Sequence, residues 1–148
     1  MLLEEQTRID ASPEDVFRFF EHIERHYEGW HPDHITFRWT EGSGLEPGNE
    51  AYFEERIGGD LKKQTVRYTE VESERYIEFT PTSRLIRLVL PHMSFTFEPD
   101  ADGSRVTQRI KVRTGPIGAK LNRREFDAIR LHMREEGENL KRIIETNH

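Results

Sequence analysis

The feature that most constrains this chain is a change of hydrophobic period near residue 114. From His34 to Arg113, apolar residues return at every second position in one segment after another. Ile35, Phe37 and Trp39 form one such set, and Ala51, Phe53 and Ile57 another. Beyond Thr114-Gly115-Pro116 the spacing widens to that of a helix face, carrying Phe126, Ile129, Met133, Leu140, Ile143 and Ile144. Period two marks strands with one buried face, and a period near 3.6 marks an amphipathic helix. The chain therefore divides into a run of strands and one long C-terminal helix.

The remaining segments complete the order. Residues 2–10 read as an opening strand. Ser12-Pro13-Glu14-Asp15 then supplies an N-cap, a proline at the first helical position and acids in the first turn. That helix is expected to reach about His22, with a second helical stretch from Ile23 to Tyr27, broken by Gly29-Trp30-His31-Pro32-Asp33. Residues 62–71 and 75–80 read as strands, Leu85 to Glu98 as one long strand or two interrupted near Pro91, and Arg105 to Arg113 as another. The last helix is expected from Ile117 or Asn122 to Glu145. Strands grouped together with helices at the ends predict an α+β fold with an antiparallel sheet of about seven strands. The C-terminal helix is the long amphipathic element that can cover its concave face. The whole chain, 1–148, reads as one domain.

Composition narrows the chemistry. There is no cysteine, which excludes disulfides, thiolate catalysis and Cys-ligated zinc. The net charge of −6 argues against nucleic acid, which needs a basic face. No segment approaches the ~20 apolar residues of a membrane span, and Met1 to Ala11 lacks the apolar core of a signal peptide. A cytoplasmic protein with no membrane partner is expected.

The sharpest candidates lie on the last helix. His132 and Glu136 are four residues apart and so share a face. Glu136 falls on the apolar stripe and His132 beside it, where a buried carboxylate needs a partner. Zinc is one such partner, since His and Glu are among its ligands. His31 and His34 sit where a loop enters a strand, and either could meet the pair. Alternation points His34 away from the core if Ile35 faces it. Glu55 shares a strand face with Ala51, Phe53 and Ile57, although a bulge would put Glu54 there instead. Glu55 and His132 are the candidates for general acid–base work. His92 is a further inward-facing candidate, and any inward Arg could hold an anion.

The opening Ile9-Asp10-Ala11-Ser12-Pro13-Glu14-Asp15-Val16-Phe17 and the element order resemble the helix-grip superfamily, also called START-like or polyketide-cyclase-like. That resemblance implies a deep cavity between sheet and C-terminal helix, holding a small hydrophobic or aromatic molecule. Trp30-His31-Pro32-Asp33-His34, Glu55-Arg56-Ile57-Gly58-Gly59 and His132-Met133-Arg134-Glu135-Glu136 are similar to the diacetylphloroglucinol hydrolase-like branch. This implies zinc held by two His and two Glu: His34 or His31, Glu55, His132 and Glu136. The chain is much shorter than the founding hydrolase of that branch.

Three functions follow as expectations. The first is a zinc-dependent hydrolase of a ketone or aromatic acyl compound, cleaving C–C bonds. The second is a non-catalytic carrier of an apolar ligand. The third is a cofactor-free cyclase with Glu55 or His132 as base. A homodimer through an edge strand is compatible with each.

Overall fold

The structure is a computed structural model and describes residues 1–147. Seven strands form one antiparallel sheet: β1 (Leu2–Ile9), β2 (His34–Glu41), β3 (Glu50–Ile57), β4 (Asp60–Glu72), β5 (Tyr76–Pro81), β6 (Met93–Asp100) and β7 (Gly103–Lys111). Their spatial order is β1-β7-β6-β5-β4-β3-β2. Strands β2 to β7 thus follow one another as a meander, and β1 closes beside β7. Between β1 and β2 run α1 (Pro13–Glu21) and α2 (Ile23–Trp30). A short α3 (Arg84–Val89) joins β5 to β6, and α4 (Pro116–Leu121) precedes the long α5 (Arg123–Thr146). This is the expected α+β helix-grip architecture.

Local chemistry accounts for most boundaries. The Ser12 side chain caps α1 by accepting from the Asp15 amide. Val16, Phe17, Phe19 and Phe20 then bury one face of that helix against Phe95 and Phe97 of β6. α5 buries Phe126, His132, Met133, Glu136, Leu140 and Ile144 along one side. The core lies between this stripe, the α1–α2 pair and the inward face of the sheet.

Three expectations need correction. Leu85 to Leu90 is not strand, because α3 occupies Arg84–Val89, capped by the Ser83 hydroxyl on the Ile86 amide. None of its residues is buried, so its apolar side chains carry no inward period to distinguish helix from strand. The second helix continues past Tyr27 through Gly29 to Trp30. An exposed helical glycine costs only about 1 kcal/mol, and the burial of Tyr27 and Trp30 offsets it. Ile35, expected in the core, is 38% exposed, while His34 is buried. The pairing of β2 with β3 explains this: His34 faces Glu55 and Thr36 faces Glu54, which leaves Ile35 as an extra residue in a bulge. The bulge lets His34 and Phe37 both point inward.

Candidate metal centre

Four side chains from four points in the chain converge at one end of the cavity. His34 opens β2, Glu55 is its cross-strand neighbour on β3, and His132 and Glu136 stand one turn apart on α5. His34 Nε2 lies 2.9 Å from Glu136 Oε2 and 3.4 Å from Glu55 Oε2. His132 Nε2 lies 3.2 Å from Glu55 Oε2 and 3.6 Å from Glu136 Oε2. His34 and Glu55 meet both residues of the helix pair, whereas His31 meets only His132. Glu54 turns the other way and accepts from the Tyr52 hydroxyl.

The surroundings fix each of the four. The Tyr27 carbonyl can only accept, so His34 Nδ1 donates to it across 2.8 Å and Nε2 is left facing the carboxylates. The Tyr27 ring stacks on the His34 ring, with centroids 4.0 Å apart. Its hydroxyl donates to Glu55 Oε2 at 3.2 Å. The Gln108 amide donates to Glu136 Oε1, and the Trp30 indole N–H donates to the Glu136 carbonyl. Tyr27 and Gln108 escaped the reading of the sequence. Gln108 sits two residues before Ile110 on one strand face, a spacing that could have found it.

His31 stands one layer further out. Its Nδ1 accepts from the Asp33 amide, so its Nε2 carries the hydrogen and donates to Glu135. Its ring packs on the His132 ring at 4.3 Å between centroids. His31, His132 and Glu135 form a second group within ligand reach of one another, which shares His132 with the first. His92 does not line the cavity. The Arg109 backbone borders the cavity, while its guanidinium turns to Glu4 and Thr96.

Electrostatics match a cation site. Burial works against charge on His132, but the carboxylates of Glu136 and Glu55 outweigh it and lift its pKa to about 10. Burial alone would raise Glu136, yet its hydrogen bonds to His132 and His34 hold it down at about 2. Two carboxylates facing two Nε2 atoms make a donor set whose charge a divalent cation would balance. The spacing suits the cation. Zinc with bonds of ~2.0–2.1 Å in a tetrahedron has ligand–ligand edges of about 3.3 Å; the four nitrogen–oxygen separations span 2.9 to 3.6 Å, and all four ligand atoms lie within 4.8 Å of one another. These four residues could hold a metal ion.

Behind the cluster lies a cavity of about 100 Å³, walled by Phe20, Phe37, Phe53, Tyr68, Phe79 and Phe95. Its apolar walls suit a small ring or acyl chain. From residues 2 to 145 the chain matches the model of one protein family, described as polyketide cyclase / dehydrase and lipid transport. It belongs to that family. The chain shares its fold with a protein of Thermus thermophilus, at TM-score 0.78 and 14% identity over 99% of both chains. A Mycobacterium smegmatis protein matches at TM-score 0.74 and 14% identity, over 99% of this chain and 92% of that one. The di-domain aromatase/cyclase BexL of the BE-7585A biosynthetic pathway matches at TM-score 0.69 and 14% identity, over 95% of this chain and 48% of that one. At these identities the likeness concerns the fold alone. No curated protein matches the sequence.

Proposed function

We propose that this protein is a zinc-dependent hydrolase of a small ketone or aromatic acyl compound, with the metal held by His34, Glu55, His132 and Glu136. The observation that carries this reading is the convergence of two imidazole nitrogens and two carboxylate oxygens within 4.8 Å of one another, with His34 turned toward the centre by the Tyr27 carbonyl. Zinc at such a place polarises a carbonyl and acidifies a bound water. The protein's own groups divide the remaining work. Glu136 is the anchored ligand, held by Gln108 and by the indole bond to its backbone. Glu55 lines both the cavity and the groove at its mouth, and it is the more exposed of the two carboxylates. Glu55 would hold the metal from the open side, and its carboxylate beside His132 is the group placed to accept a proton. The aromatic walls orient a planar substrate and exclude bulk water.

The aromatic lining also favours a second reading, a carrier of an apolar or aromatic ligand without turnover. A third, the cofactor-free cyclase, uses the same Glu55–His132 pair. One experiment separates the three: a panel of aromatic ketones and acyl compounds assayed before metal chelation, after it, and after zinc is restored. The hydrolase reading expects C–C or acyl cleavage that chelation abolishes and zinc restores. Turnover indifferent to chelation would leave the cyclase, and saturable binding without turnover the carrier.

A further inference from the structure

The chain is acidic overall, but its charge is unevenly spread. From Arg84 to His92 and from Lys111 to Arg124 there are seven Lys and Arg and no Asp or Glu. The fold brings these stretches together. The Arg113 amide donates to the Val89 carbonyl at the end of α3, and α4 begins at Pro116. Arg84, Arg87 and Arg113 line one surface depression with Leu88 and Pro91. None of the three has a carboxylate partner among the described residues. Large apolar side chains stand out in both stretches: Leu85 is 78% exposed and Leu88 61% on α3, Ile117 77% and Leu121 79% on α4. Neither α3 nor α4 buries a residue. The same face adjoins the mouth of the cavity, because Leu85, Ile86 and Val89 line a groove with Phe53, Glu55 and Ile129, which also wall the cavity.

We propose that this face docks on an anionic lipid bilayer, with the α3 leucines in the interface and Arg84, Arg87 and Arg113 on lipid headgroups. Exposed Leu and Ile among Lys and Arg are what such a surface requires. A second copy set against the depression by two-fold symmetry would oppose the unpaired Arg84, Arg87 and Arg113 to one another. Separate protruding side chains also suit a deformable medium better than a shaped pocket. The absence of a spanning helix among the described residues is consistent with contact from one side. An apolar ligand could then pass between bilayer and cavity without crossing water. The inference stands apart from the metal reading.

Vesicle flotation tests it. The protein should float with mixed phosphatidylcholine–phosphatidylglycerol vesicles at low salt, not with phosphatidylcholine alone, and high salt should release it. Arg84→Glu with Arg87→Glu should cut the bound fraction roughly tenfold or more. Arg25→Glu with Arg142→Glu changes net charge equally elsewhere on the surface and should leave binding intact. Leu85→Ser with Leu88→Ser should weaken it at unchanged charge. All these residues but one are exposed and Arg87 is half-buried, and thermal melts confirm that each variant folds. No flotation on mixed vesicles, or equal loss in both charge pairs, overturns the proposal. So does concentration-dependent dimerisation lost in the leucine variant without vesicle binding, or tight capture of polyglutamate that the leucine variant keeps.

Discussion

His34 owes its orientation to one backbone carbonyl and one ring. Nδ1 is tied to the Tyr27 carbonyl and the imidazole is stacked on the Tyr27 ring, so the single free nitrogen faces Glu55 and Glu136. The Tyr27 hydroxyl independently steadies Glu55. Tyr27→Phe keeps the carbonyl and the ring and removes only the hydroxyl. Zinc affinity measured by calorimetric titration should fall about 10–100-fold, the usual effect of losing an outer hydrogen bond. Unchanged affinity would mean that Glu55 needs no support. Protonation gives a second test at this scale. His132 is raised from 6.5 to about 10, so in metal-free protein it adds stability below pH 6.5 that fades as pH rises toward 10. Glu136 is lowered from 4.5 to about 2, so its contribution is present above pH 4.5 and fades as pH falls toward 2. Melts of chelated protein should therefore show these contributions together between pH 4.5 and 6.5 and decline on the alkaline side. Zinc replaces the proton and should remove that alkaline decline.

Among the elements, α5 carries half of the cluster and its seat on β1 sets where that half lies. Gly137 meets β1 closely, and a Cβ there would strike the Thr7 hydroxyl. Thr is stiff at χ1, so a larger residue has to push the helix outward. Gly137→Val should destabilise by about 1–3 kcal/mol in urea unfolding and weaken zinc binding as well, because Glu136 is the adjacent residue. Stability loss with full zinc affinity would show that the helix position is not critical. The elements also show what the sequence disclosed and what it hid. Their order was legible, because Phe37, Phe53 and Phe95 alternate and Met133 and Leu140 share a helix stripe. Face counting put Glu136 on the helix stripe and His132 beside it, and left Glu55 and Glu54 as alternatives until the β2–β3 register separated them. The choice between His31 and His34 was not, because alternation assumes an unbroken strand and one extra residue at Ile35 reverses it. α3 was hidden for the opposite reason: with no buried side chain, its pattern carries no period.

At the scale of the molecule, the grip of sheet on helix turns three distant stretches into one site. Residues 34 and 136 are 102 positions apart yet in hydrogen-bond contact. A ligand that bridges them binds the folded state alone, so zinc at a hundredfold excess over its Kd should add about 2.7 kcal/mol to stability. The central claim is the identity of the four ligands. Zinc X-ray absorption on stoichiometrically loaded protein tests it most directly. One zinc per chain is expected, with four nitrogen and oxygen neighbours at about 2.0–2.1 Å and the outer-shell scattering of two imidazoles, and of only one in His34→Ala. A loaded zinc lacking imidazole scattering, or a signal unaltered in His34→Ala, would contradict it.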